Sequence, residues 1–317
     1  MHTVTPAGST LTGITTRQPV QIQAARQVYA GHFPIYTRTG PAGPPSHEYY
    51  TAMTAQDNPE RNPVVLVHGW NHHPGIWNRL CPLLEKEGVP VWKFDFSLLV
   101  RPSIPTIAEA FGRYMEAMQE ETGYLGAIDI VCHSLGTCAA RYYLEVMDGT
   151  MPVRQLIGLG APNTGSALAE LFFDKKSGPE IHRRLSGIFV PDGFNPEADP
   201  LVCDVRFESA VMQDLESAGL RNDITYRVVV TENSGRDPAF FPWFHGQTWE
   251  RDENGIFRKT FSGDGIVSNR ESALPGVTPD CISCTGPGSI PPMQYCHIHM
   301  PRNPAVMDHV LRLLRQP

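Results

Sequence analysis

Nowhere in the 317 residues does an apolar run approach the roughly 18–20 residues that a membrane-spanning helix needs. Positive charge is in deficit, with 26 Lys and Arg against 33 Asp and Glu and a net charge of −7. A nucleic-acid binder carries a basic surplus to meet phosphate, so the charge balance argues against such a partner. Cysteine is sparse, at seven residues, which is too few for a disulfide scaffold; the odd number leaves at least one thiol unpaired. There is no Gly-x-Gly-x-x-Gly turn and no P-loop, so no organic cofactor is expected. Internal repeats and long low-complexity tracts are also missing. The opening MHTVTPAGSTLTG has no basic cluster followed by an apolar stretch, so no signal peptide is visible. That fits a cytoplasmic protein or, in preference, a secreted one whose leader has been removed.

What is present is a globular composition, 41% hydrophobic and 19% charged, in a length that suits a single large α/β domain over residues 1–317. Residues 1–60 are rich in Thr, Pro and Gly and read as irregular chain with one or two edge strands, for example Val20-Gln21-Ile22-Gln23. From residue 62 onward short β-branched runs alternate with helical patterns. Strands are expected at Pro63–Val67, Val89–Phe96, Ala127–Cys132 and Val153–Leu159, and helices at Ile76–Glu87, Ile104–Glu121 and Leu135–Met147. This alternation predicts a doubly wound, mostly parallel sheet with right-handed crossovers. Residues 164–224 break it before a strand resumes at Tyr226–Thr231, and so long an excursion is expected to be a cap or lid. A second excursion, Phe240-Phe241-Pro242-Trp243-Phe244 with Trp249 nearby, is dense in aromatics; beyond it, Asn303–Arg315 reads as an amphipathic helix.

The strongest chemical signal is Ile128-Asp129-Ile130-Val131-Cys132-His133-Ser134-Leu135-Gly136, a buried-strand pattern running into a serine and then directly into a helix. A sharp strand-to-helix turn lifts such a serine hydroxyl clear of the sheet, and it forces the residues two before and two after the serine to be small. Gly136 satisfies that demand, and Cys132 stands where glycine is usual. An ordinary serine helix cap is the bland alternative.

Together with Val67-His68-Gly69-Trp70 at the end of an earlier strand, this motif resembles the α/β-hydrolase superfamily, and within it bacterial lipases and esterases with a His-Gly-X oxyanion loop. The resemblance covers about residues 60–317. It implies an oxyanion hole made by the N–H groups of Trp70 and Leu135, with His68 structural. It also implies the chain order Ser, acid, His. Phe261-Ser262-Gly263-Asp264-Gly265-Ile266-Val267-Ser268 is similar to the stretch carrying the family's acid, which makes Asp264 the candidate, with Asp237 as rival. Cys296-His297-Ile298-His299-Met300-Pro301 stands where the family places its base; His297 fits the spacing better than His299. His72, His73, His133 and His245 read as surface or packing residues.

The resemblance therefore implies a serine carboxylic-ester hydrolase working through Ser134, His297 and Asp264 and an acyl-enzyme. A polyester depolymerase, an acyltransferase or a thioesterase would use the same triad; a non-catalytic hydrolase-like binding protein is the alternative from another class. Phe240, Phe241, Trp243 and Phe244 are expected to furnish part of an acyl-pocket or lid wall, or else plain core. The set Cys281, Cys284, Cys296 and His297 has one Cys-x2-Cys pair but nothing to complete a zinc site, so no metal is expected; a disulfide before the base is the other expectation, and inert thiols the third. The partner implied is an ester substrate, small, lipid or polymeric, with contact at a lipid interface open; oligomeric state is not legible.

Overall fold

A computed structural model describes residues 61–191, 193–284 and 290–316; the edge strands expected within residues 1–60 lie outside this range. The first strand among the described residues is β1 (Val64–Val67), whose four residues are all buried. Val64 and Leu66 point into one apolar layer, Val65 and Val67 into another. A strand with both faces covered by apolar neighbours is what a continuous β-branched run encodes, as opposed to the alternating pattern of a half-exposed strand.

After a 3-10 turn at Pro74–Trp77, helix α1 (Leu80–Lys86) leads to β2 (Val91–Phe94). The single helix expected from Ile76 is thus split. Pro82 lacks an N–H to donate to a preceding turn, so it is accommodated in the first turn of α1 and the helix cannot begin earlier. Helix α2 (Ile104–Thr122) starts where the Ser103 hydroxyl accepts the Thr106 N–H and stops at Gly123, whose φ is 67°. Strand β3 (Ile128–His133) runs into α3 (Leu135–Arg141), which continues as one π-helical turn, Tyr142–Val146. Strand β4 (Val153–Leu159) follows.

The excursion of residues 164–224 is helical: α4 (Ala167–Phe173), α5 (Gly178–Leu185), α6 (Pro200–Asp204) and α7 (Ala210–Ala218). Strand β5 (Thr225–Glu232) returns to the sheet. The aromatic stretch leads to an antiparallel hairpin, β6 (Thr248–Arg251) and β7 (Phe257–Thr260), and then to α8 (Asn269–Ser272), β8 (Asp280–Ser283) and α9 (Pro304–Leu314).

Among the described residues the main sheet has six parallel strands in the order β2-β1-β3-β4-β5-β8. Helices α1 and α9 contribute Leu80, Leu84, Val306 and Val310 to the layer on one face. Ile107, Phe111, Cys138 and Leu144 of α2, α3 and the π turn cover the other. The doubly wound expectation is met, and β8 is an added edge strand that the sequence pattern did not reveal. The chain reverses its direction of travel across the sheet between β1 and β3, which opens a crevice at their carboxyl ends, where ligands bind in sheets of this kind.

Candidate active site

Register places the two expected motifs side by side. Val67 pairs with Cys132, so the residues after β1 and β3 leave the sheet together. Ser134 sits on the turn with φ 54° and ψ −133°, a conformation that costs a non-glycine residue about 1–3 kcal/mol and is held here by the surrounding packing. Its N–H donates to the Leu159 carbonyl at 2.8 Å. A Cβ added to Gly136 would stand 2.2 Å from the His68 carbonyl oxygen, which is why the second position after the serine must be glycine. Gly69 is under the same restriction, since a Cβ there would lie 2.9 Å from the Ser134 Cβ. Cys132 is fully buried, and its side chain is tolerated because it faces a core layer.

Three polar side chains meet at this corner. The His297 Nε2 lies 2.9 Å from the Ser134 Oγ, and its Nδ1 lies 2.7 Å from the Asp264 Oδ2. Asp264 is held from the other side as well: its Oδ1 accepts the N–H groups of Ile266 at 2.9 Å and Val267 at 2.7 Å. The His297 N–H donates to the Asp264 carbonyl at 2.9 Å, so backbone as well as side chain ties the two loops. A carboxylate accepting Nδ1–H fixes the tautomer in which Nε2 carries a lone pair toward the serine hydroxyl. Exposure is 7% for Ser134, 2% for Asp264 and 1% for His297. The rivals are elsewhere: Asp237 caps the turn at Pro238–Phe240 through the Ala239 N–H, and His299 is half-buried with its pKa pushed down by desolvation.

His68 is fully buried and stacks on Phe96 at 3.8 Å. Its Nε2 receives the Phe96 N–H at 3.2 Å and its Nδ1 lies 3.0 Å from the Gly69 carbonyl, so it fastens the loop after β1 to the loop after β2. The N–H of Leu135 belongs to the first turn of α3, where helical N–H groups lack intrahelical acceptors. Trp70 follows Gly69 at the same corner, its indole Nε1–H donating to the Asp199 Oδ2 at 2.9 Å.

The aromatic expectation requires correction. Phe240 and Phe241 have no exposed surface and Phe244 has 2%, so none of the three can line a pocket in this conformation; Trp243 alone is partly exposed. Phe241 packs against the acid loop at Gly265, the residue after Asp264, and Phe244 packs on the Phe241 ring. The aromatics that approach the reactive corner belong to the excursion after β4. Phe189 meets the His297 ring at 6.0 Å and the Trp70 ring at 5.2 Å, and Phe194 meets Trp70 at 5.5 Å. No spacing rule marks Phe189 in the sequence, since it sits in irregular chain. This segment roofs the corner. The Asn71 side chain reaches the Phe189 carbonyl at 3.5 Å, and Arg101 donates to the Ala198 carbonyl at 2.5 Å.

Cys281, Cys284 and Cys296 are free thiols, so the disulfide expectation is not met. Burial pushes the Cys296 thiol up to about 12. Cys281, exposed at the sheet edge, is also pushed up to about 12, by desolvation and then by Glu232. Glu271 is a buried carboxyl that sequence reasoning passed over. Its Oε1 accepts the Ala167 N–H at 2.5 Å and its Oε2 the Ser268 N–H at 2.7 Å, tying the start of α4 to the chain just past Asp264. Burial raises it to about 8 against those two hydrogen bonds.

The strand order, the serine on the sharp turn between β3 and α3 and the helices on both faces agree with the solved structures that the chain resembles. The chain has the α/β-hydrolase fold. No protein-family model matches it. Among solved structures it is similar to the mature lipase BlEst2 of Bacillus licheniformis, with a TM-score of 0.60 and 17% identity over 83% of this chain and 95% of that one. In its propeptide form, the same lipase matches at 0.59, and this chain then spans 52% of that one. The lin2722 gene product of Listeria innocua matches at 0.51 with 16% identity, over 81% of this chain and 95% of that one. Lipase B of Aspergillus fumigatus matches at 0.52 with 13% identity, over 81% and 53%. At these identities the α/β-hydrolase fold is what the likeness carries. No described helix is long and apolar enough to cross a membrane.

Proposed function

We propose that this α/β-hydrolase-fold protein is a serine carboxylic-ester hydrolase acting on acyl esters. The observation that carries the reading is the continuous relay from Ser134 Oγ through His297 to Asp264, at 2.9 and 2.7 Å, on a strained turn between β3 and α3. A serine hydroxyl alone is a poor nucleophile at neutral pH, and an adjacent oriented imidazole makes it competent. His297 Nε2 takes the Ser134 proton as Oγ attacks the ester carbonyl carbon, and the N–H groups of Trp70 and Leu135 receive the developing oxyanion. His297 returns that proton to the alkoxide as the C–O bond breaks and the alcohol leaves. Water, deprotonated by His297, then attacks the acyl-enzyme and releases the acid, restoring Ser134. Asp264 accepts Nδ1–H throughout and stabilises the imidazolium without becoming protonated.

Fold neighbours named as lipases support an acyl-ester substrate. The Phe189 ring beside His297 and the burial of Phe240, Phe241 and Phe244 favour a small or lipid acyl ester over a polyester chain, which an exposed aromatic surface would suit better. Leu98 and Val100, 69% and 63% exposed on the loop whose Arg101 touches the roof, are the surface by which such an enzyme meets aggregated lipid.

The test is hydrolysis of p-nitrophenyl esters of increasing acyl length by the wild type and by Ser134→Ala. Loss of turnover by about 10³-fold or more in the variant is expected. A wild type that cleaves none of the series would move the reading to thioester or acyl-transfer substrates.

A further inference from the structure

His133 precedes the nucleophile and looks from the sequence like a packing residue, but its environment is specific. It is 1% exposed, and its Nε2 lies 3.1 Å from the backbone carbonyl oxygen of His297, 164 residues away. Its other nitrogen, Nδ1, is buried with no hydrogen-bond partner among the described residues and faces Gly69, where an added Cβ would come within 3.1 Å of it. These two facts decide the tautomer. A proton on Nδ1 would leave a buried donor unpaired and set the Nε2 lone pair against a carbonyl lone pair. The proton therefore sits on Nε2 and is donated to His297.

The consequence is geometric. The His297 N–H is held by the Asp264 carbonyl at 2.9 Å, and the His297 carbonyl is held by His133. His133 and Ser134 are neighbours on one rigid turn, so a bond from His133 to the His297 backbone ties the base loop directly to the nucleophile. We propose that His133 is a positioning residue for the Ser134–His297–Asp264 relay, a clamp whose Nε2–H sets the approach of His297 Nε2 to Ser134 Oγ. This rests on the reading given under Proposed function. The groups facing His133 are imidazoles: the His297 ring at 4.7 Å and the His72 ring at 5.9 Å, with His68 beyond. Burial, then His297 and His72, keep its pKa well below the ordinary value, so it stays neutral when His297 becomes cationic during turnover.

Three variants test the clamp on a soluble p-nitrophenyl ester, each checked for folding by thermal melting and far-UV circular dichroism. His133→Leu keeps bulk and removes the donor; His133→Gln supplies an N–H at similar reach; His133→Asn supplies one that falls short of the carbonyl. Expected for Leu and Asn is a fall in kcat of about 10- to 100-fold with KM within about twofold, and for Gln the recovery of most of that loss. If Leu fails to fold, Gln against Asn decides alone. The clamp is overturned by wild-type kcat in Leu or Asn, or by Gln no faster than Asn, which would mean packing only. Ser134→Ala, assayed in parallel, keeps the two ideas apart: turnover that survives it sinks the serine-hydrolase reading itself, whatever the His133 variants do.

Discussion

Phe240, Phe241 and Phe244 are enclosed, with Phe241 against the turn that carries Asp264, whereas Phe189 and Phe194 pack on Trp70 at the serine corner, and Phe189 also meets His297. The first group is contiguous and conspicuous in the sequence, the second scattered through irregular chain. Their placements are the reverse of what density suggests. A short loop with several large rings must bury them, and Phe241 does so against Gly265 of the acid turn. A long excursion has no such constraint and can lay a single ring over a reactive centre.

The sharpest way to break that comparison is Phe241→Ala. Removing a fully buried ring is expected to cost about 3–5 kcal/mol, read as a lowered midpoint in urea unfolding. Phe189→Ala is expected to cost clearly less and to change kcat/KM on short esters instead. Equal losses of stability from the two would erase the distinction between support and roof.

Next is the pH dependence of Glu271, which links α4 to the chain past Asp264. Its folded pKa, about 8, lies above the ordinary carboxyl value, so the folded state retains a proton that the unfolded chain has released. Its contribution is therefore fully present below about pH 4 and is lost as pH rises through about 8. Thermal melts between pH 5 and 8 are expected to show a falling midpoint whose slope flattens in Glu271→Gln. An unchanged slope would rule this group out as the source.

Asp199→Ala has a smaller expected effect. It removes both the acceptor of the Trp70 indole and the cap that receives the Leu201 and Val202 N–H groups. A cap loss costs about 1 kcal/mol, and the freed roof is expected to speed turnover of soluble short esters. Slower turnover would mean that Asp199 serves the oxyanion corner more than the roof.

Smallest in stability is Leu98→Asp combined with Val100→Asp, expected to stay within about 0.5 kcal/mol of wild type because both side chains are exposed. Activity on emulsified triacylglycerol is expected to drop while activity on a soluble ester holds. A parallel loss on both substrates would remove the lipid-surface reading of that loop.

Most of the sheet is legible in the amino-acid sequence. Short runs rich in apolar and β-branched residues at Val64–Val67, Ile128–His133 and Val153–Leu159 admit few environments other than a strand covered on both faces. The break in the helix before α1 was missed although Pro82 was in view. Strand β8 was missed because Asp280–Ser283 is four mixed residues whose pairing with β5 exists only once the chain has turned back on the edge of the sheet.

By itself the sequence determined the elbow. Cys132, Ser134 and Gly136 fall where a strand pattern meets a helix pattern, and only small neighbours survive that turn, so local sterics select the residues. It also determined which polar residue types could meet at the corner, because the order of strands and their right-handed crossovers follows from the alternation of periodicities. Tertiary structure alone decided the rest. Asp264 rather than Asp237 meets His297, since the hairpin β6–β7 carries the acid turn to the site and leaves Asp237 capping its own turn. His133 faces a carbonyl 164 residues away, and Phe189 faces His297 from the roof. Hydrogen bonds and ring contacts of such sequence separation are set by where loops land on a finished core, and no local pattern encodes that landing.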